Sequence, residues 1–217
     1  MKTILCYGDS NTWGYDPSNP GRPLPHSRFG LHERWAGVLR DELGAEYWVI
    51  EEGLNGRTTV WPDPVEGEYK NGKASLMALL ESHQPLDLVI IMLGTNDLKM
   101  RFGVPARDIA YSAGVLVELV QHTGFGPGGA APQVLLMSPA PTAPLSERFT
   151  EMFTGAPEKS RQLGQWYRQV AQEYGCHFMD AGEIVVSSPS DGIHLDKSEH
   201  LKLGQAVAAH VRDILGG

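Results

Sequence analysis

Ser10, Gly56, Asn96, Asp191 and His194 are the residues whose types and spacing could together carry out chemistry on an acyl carbonyl. A serine hydroxyl is a poor nucleophile at neutral pH unless a base takes its proton during attack. An imidazole such as that of His194 can accept that proton and later return it. Asp191 lies three residues earlier in Asp191-Gly192-Ile193-His194 and can fold back to hydrogen-bond the other ring nitrogen. It would fix the tautomer and stabilise the imidazolium. Attack on the carbonyl develops an oxyanion, which needs donors already in place. The side-chain amide of Asn96 and the backbone N–H groups of Ser10 and Gly56 could supply them. Singly, each residue has an ordinary reading: a turn serine, a structural histidine, an Asp-Gly turn, a glycine with positive φ, a helix-capping loop.

What sets the five apart is where the chain must place them. Residues 2–7, 46–51, 86–92, 133–138 and 176–180 are short apolar runs that read as strands. Those at 88–92 and 134–137 are continuously apolar, as in parallel strands covered on both faces. Helical patterns alternate with them: 33–43, a stretch from Asn71 or Gly72 stopped by Pro85, one with Pro105 at its first position, one from Pro157 to Gly175, and a last one. Asp196 and Glu199 have capping-box spacing at the start of that last helix. Five alternations imply a three-layer α/β domain with right-handed crossovers. In such a sheet, ligands bind beyond the carboxyl ends of the strands. Ser10, Gly56 and Asn96 follow strands one, two and three, and Asp191 and His194 come after strand five. The irregular stretches 11–32 and 139–156 are longer than a compact domain keeps without use.

Composition narrows the alternatives. A net charge of −8 lacks the electrostatic footprint of a nucleic-acid binder. No apolar run approaches the ~20 residues needed to cross a bilayer. The four-residue apolar run after Met1-Lys2-Thr3 is too short for a signal-peptide core, so cytoplasmic residence and no membrane partner are expected. Cys6 and Cys176 sit in apolar segments and read as small buried hydrophobes, with no disulfide expected. Asp191, His194, Asp196 and His200 match no familiar zinc spacing, so no metal site is expected. A flavodoxin-like FMN or phosphate binder would use a polar loop after strand one leading into a helix N-terminus. Pro17, Pro20, Pro23 and Pro25 instead postpone the next long helix to about residue 33, and that reading leaves Asp191 and His194 without work. Gly8-Asp9-Ser10-Asn11-Thr12 fails the Gly-x-Ser-x-Gly elbow at its last position, which argues against the α/β-hydrolase fold.

The segments GDSNTWG, EEGLNGRTT, IIMLGTND and DGIH resemble, in order and spacing, the four sequence blocks of the SGNH (GDSL-type) hydrolases. VIEEGLNGRTT, LDLVIIMLGTND, SPAPTAP and DGIHL resemble the arylesterase/acyltransferase, or perhydrolase, branch. The resemblance implies one domain over residues 1–217 with a flavodoxin-like five-stranded parallel sheet of order 2-1-3-4-5. It implies a serine esterase acting on small acetyl or aryl esters through an acyl-enzyme on Ser10, with Asp191 and His194 completing the triad and no metal or cofactor. Alcohol or peroxide would compete with water as acyl acceptor, and the chain would form homo-oligomers. A carbohydrate acetylesterase, thioesterase or lysophospholipase of the same superfamily is the alternative. Asn11 stands where the first block commonly has leucine. Asn11, Trp13, Phe149, Phe153 and Ile193, with Met152, are candidates for the pocket wall. Trp13, Phe149, Met152 and Phe153 could equally be core or subunit-contact residues.

Overall fold

The protein is described here by a computed structural model covering residues 1–19 and 27–216. Pro20, Pro23 and Pro25 lie outside the described residues. Five strands, β1 (Lys2–Gly8), β2 (Tyr47–Gly53), β3 (Leu88–Met92), β4 (Gln133–Ser138) and β5 (His177–Asp180), form one sheet in the order β2-β1-β3-β4-β5. Every neighbouring pair is parallel. The connections carry α1 (Ser10–Trp13), α2 (Trp35–Leu43), α3 (Gly72–His83), α4 (Ala106–Gln121), α5 (Glu147–Thr150), α6 (Ala156–Tyr174) and α7 (Lys197–Leu215).

Because successive side chains of a strand point to opposite faces, the apolar runs of β1, β3 and β4 feed two cores at once. Leu5, Tyr7, Val89, Ile91, Val134 and Leu136 pack with Leu76, Leu80, Ile109, Leu116, Leu163 and Tyr167 from α3, α4 and α6. Ile4, Cys6, Leu88, Ile90, Leu135 and Met137 pack with Trp35, Leu39, Leu203, Val207 and Val211 from α2 and α7. This double coverage is why these strands show no polar alternation. Each such side chain stabilises the fold by roughly 1.5–3 kcal/mol relative to exposure.

The strand and helix assignments from sequence hold to within about two residues, the usual scatter of element ends. Pro105 flanks α4 at the cap, and Pro157 is the second residue of α6. Two expectations change. Asp196 does occupy the cap position of α7, yet its side chain makes no capping bond. Its intended partner is committed elsewhere: Glu199 Oε2 accepts from the N–H of Val186 at 3.1 Å and Oε1 from Lys202 Nζ at 2.6 Å. The second change is α1, a single helical turn directly after β1 where only an irregular stretch was expected. It lies so close to the sheet that a Cβ on Gly53 would meet the backbone N of Trp13 at 2.2 Å. Cys6 and Cys176 are both free, with β3 and β4 between the strands they belong to or precede. No helix among the described residues is long and apolar enough to cross a membrane.

α2 packs closely on α7 at Gly204, where an added Cβ would meet Val38 Cβ at 2.6 Å and the Trp35 carbonyl at 2.7 Å. Gly204→Val therefore forces the two helices apart and is predicted to destabilise the protein by roughly 1–3 kcal/mol. A lowered midpoint in urea denaturation checks this; an unchanged midpoint contradicts the packing.

Candidate active site

The carboxyl edge of the sheet brings the five candidate residues together. Ser10 opens α1 immediately beyond β1, in a turn shaped by Asp9, whose Oδ1 accepts the N–H of Asn11 at 3.0 Å. Ser10 Oγ lies 2.9 Å from His194 Nε2, and His194 Nδ1 lies 2.6 Å from Asp191 Oδ2. The other oxygen of Asp191 accepts the N–H groups of Ile193 at 2.8 Å and His194 at 2.9 Å. Burial by itself would push the Asp191 carboxyl up. The hydrogen bonds from the His194 ring and from these two N–H groups outweigh it and hold the carboxyl below its ordinary range. An ionised Asp191 keeps the proton on Nδ1, which leaves the Nε2 lone pair facing the serine hydroxyl.

The loop carrying Asp191 and His194 is braced from several sides. The N–H of Ser188 donates to the His194 carbonyl at 2.7 Å, and the N–H of Gly192 donates to the Ser188 carbonyl at 2.8 Å. Part of the long 139–156 stretch backs it: Ala143 N–H donates to the Gly192 carbonyl and Ser146 N–H to the Asp191 carbonyl. Asn11 completes the bracing. Its Oδ1 accepts the N–H of Leu195 at 3.0 Å and its Nδ2 donates to the Ile193 carbonyl at 3.3 Å. One buried amide thus grips the peptide groups on both sides of His194.

Asn96 is positioned through Arg57. The Asn96 amide donates to the Arg57 carbonyl at 3.1 Å, which leaves its second N–H for another acceptor. The Arg57 guanidinium lies over the Tyr7 ring, 4.1 Å from its centroid, and donates to the carbonyls of Gly8 (2.8 Å) and Glu52. The ends of β1 and β2 and the loop after β3 are thereby locked together. Gly56 has φ +78°, a left-handed conformation that favours glycine, and its Cα is covered by the Glu66 carboxylate. Among the described residues, the N–H groups of Ser10 and Gly56 donate to no protein acceptor.

These groups open on a cleft of about 220 Å³. Its apolar lining comes from Tyr15, Phe149, Met152, Phe153 and Ile193, and its polar lining includes Asn55, Glu66, Lys99 and Arg148. Tyr15 packs on the His194 ring with centroids 4.2 Å apart. It is placed there by the start of the 11–32 stretch, which turns back so that Tyr15 bridges to Arg28 and Phe29 N–H donates to the Gly14 carbonyl. Phe149, Phe153 and Ile193 line the cleft. Asn11 and Trp13 do not: Asn11 faces the His194 loop from behind, and Trp13 packs against the Arg28 guanidinium at 4.7 Å. Asn11 could not serve as a wall because both ends of its amide are engaged by backbone.

Tyr15, Asn55, Glu66 and Lys99 escaped the sequence reading. Lys99, three residues past Asn96 in the same post-strand loop, carried a positional signal; Glu66, inside a long connection, carried none. His200, weighed with Asp196 as a metal ligand, is buried and accepts the Trp35 N–H on Nδ1 at 3.2 Å. Among the described residues no three His, Cys, Asp or Glu side chains converge on a metal-binding point.

Comparison with known proteins places this geometry in context. Residues 6–202 match the model of the GDSL-like lipase/acylhydrolase family. No curated protein matches the chain. Among solved structures, an aryl esterase of M. smegmatis is 43% identical, with 99% of this chain and 100% of that one covered and a TM-score of 0.93. A carbohydrate acetylesterase from Sinorhizobium meliloti is 41% identical, with the same coverage and a TM-score of 0.92.

Two further carboxyls, Asp9 and Asp97, are buried behind the site, and burial pushes each from an ordinary value of 3.8 up to about 6. The folded state then holds protons that the unfolded chain releases near 3.8. The stability this contributes is present below that value and is lost as pH rises through about 6. Asp9→Asn and Asp97→Asn are therefore predicted to gain in stability relative to wild type between about pH 4.5 and pH 8, by of order 1–3 kcal/mol each. Melting temperatures of each variant and wild type at the two pH values check it; parallel shifts contradict it.

Proposed function

Because the chain belongs to the GDSL-like lipase/acylhydrolase family, the SGNH hydrolases, we propose that it is a serine esterase working through an acyl-enzyme on Ser10. The observation that carries this reading is the unbroken hydrogen-bonded relay from Ser10 Oγ through His194 to Asp191. It faces a cleft lined by Ser10 and Gly56, whose N–H groups have no acceptor among the described residues.

In acylation, Ser10 Oγ attacks the ester carbonyl while His194 Nε2 takes its proton, and Asp191 stabilises the imidazolium that forms. The carbonyl oxygen becomes an oxyanion in reach of Ser10 N–H, Gly56 N–H and the second N–H of Asn96. Collapse of the tetrahedral intermediate breaks the bond to the alcohol, and His194 returns the proton to the leaving oxygen. Water, deprotonated by the same imidazole, then releases the acid and restores Ser10. A cleft of about 220 Å³ with aromatic side chains in its lining suits short acyl esters with small or aryl alcohols. The apolar side chains of Phe149, Phe153 and Ile193 favour alcohols, and peroxide, as acceptors competing with water. Asn55, Glu66 and Lys99 in the same lining favour a hydroxylated alcohol as a second reading, an acetylated sugar being one case. Cytoplasmic residence and assembly into homo-oligomers belong to the same proposal.

Hydrolysis of 4-nitrophenyl acetate tests the reading. Ser10→Ala is predicted to lose at least ~10³-fold in kcat, and Asn96→Ala ~10²–10³-fold. A Ser10→Ala rate equal to wild type contradicts the proposed nucleophile, and product analysis in excess alcohol that finds acid alone contradicts the acyl transfer.

A further inference from the structure

Four charged side chains form a closed group, of which Glu66 and Lys99 line the cleft and Asp63 and Arg101 stand behind them. Lys99 Nζ donates to Glu66 Oε1 at 2.5 Å and lies 3.5 Å from Asp63 Oδ2. Arg101 donates to Asp63 Oδ1 at 2.8 Å and stands 3.8 Å from Glu66 Oε1. Asp63 is fully buried, the Lys99 side chain is 3% exposed, and Asp63 is further fixed by the N–H groups of Val65 and Glu66. With two cations and two carboxylates the group is electrically neutral. Asp63 and Lys99 are shielded from water while Glu66 is about one-third exposed, and removing Lys99 leaves the two carboxylates with Arg101 as their one remaining cation in the group.

The position of Glu66 gives this balance a chemical consequence. Its Oε2 sits over Gly56, 2.4 Å from where a Cβ on that residue would lie. Both Glu66 and Lys99 also border the cleft. A carboxylate is therefore fixed beside a backbone N–H proposed to receive the oxyanion. An uncompensated negative charge there opposes the negative charge that develops on the substrate oxygen, and the opposition grows only as the transition state is approached. The neighbouring Lys70 adds a further positive charge, its Nζ donating to the Asn55 carbonyl at 2.6 Å, but it makes no ion pair with Glu66 among the described residues and is unchanged in every variant below.

We propose that Lys99 is a positioning residue for the oxyanion: by neutralising Glu66 beside Gly56, it allows negative charge to form in the cleft. The inference rests on the serine-esterase reading above. It makes a specific demand, that kcat follow the net charge of the four-residue group and not the number of native contacts retained. Lys99→Met makes the group −1, Glu66→Gln makes it +1, and the double variant restores neutrality while removing both side chains.

The test is kcat and KM for 4-nitrophenyl acetate at low ionic strength in wild type and these three variants. The expected order is Glu66→Gln above wild type, Lys99→Met at least about tenfold below wild type, and the double variant at least about threefold faster than Lys99→Met. KM is expected to move less than kcat, because the charge acts on the transition state. A Lys99→Met kcat near wild type, or a double variant as slow as Lys99→Met, overturns the proposal; a purely structural lysine predicts the latter. If Lys99→Met does not fold, Glu66→Gln decides alone: a raised kcat supports the role and a kcat at or below wild type overturns it. Ser10→Ala in the same assay judges the nucleophile separately, so an order that ignores charge counts against Lys99 alone.

Discussion

The hydrogen bond between Ser10 and His194 joins residues 184 positions apart, and the rest of the structure serves to keep its two ends in register. One end is fixed by a strand in the middle of the sheet, β1, flanked on both sides and rigid by burial. The other end sits on a loop with no secondary structure of its own, so it has to be held by individual bonds. Asp191 folds the loop onto itself through three donors, and the 139–156 stretch supports it from outside. Asn11 ties it directly to the helix that carries Ser10, the proposed nucleophile. Because Asn11 is adjacent to Ser10, these two bonds link the backbone on both sides of His194 to the segment that bears Ser10. This is the kind of support that a reaction sensitive to ångström displacements requires.

A second theme is the handling of charge in a poorly hydrated site. Asp191 is kept ionised by hydrogen bonds, while Asp9 and Asp97, with less such support, are driven by burial toward their neutral forms. Glu66 is kept beside the cleft only in company with Lys99 and Arg101. Carboxylates near one another thus occupy different protonation regimes according to the donors each receives. Negative charge is held by hydrogen-bond donors where Asp191 meets His194 and is paired with cations beside Gly56.

Much of this architecture was legible in the sequence. The continuously apolar runs at 88–92 and 134–137 announced strands covered on both faces, and strand ends followed by Ser10, Gly56 and Asn96 announced a common edge. What stayed hidden follows from long-range packing. The helical turn Ser10–Trp13 is too short for periodicity to reveal, and the approach that Gly53 permits is a contact between distant segments. Glu199 has the spacing of a capping residue, but the loop 184–188 competes for its carboxylate and wins. Asn11 looked like a pocket residue because it neighbours Ser10. Its partners, Ile193 and Leu195, lie at the far end of the chain, and no local pattern points to them. The Asp63–Glu66–Lys99–Arg101 group is assembled from two loops whose proximity only the sheet order creates.

The most direct test of the account is covalent capture of the nucleophile. Incubation with an aryl phosphonate ester, followed by peptide mapping by mass spectrometry, should find a single adduct on the peptide containing Ser10. Its rate of formation should collapse in His194→Ala, since the hydroxyl then has no base. An adduct on a different residue, or labelling of Ser10 at the same rate without His194, would contradict the relay on which the proposed activity rests.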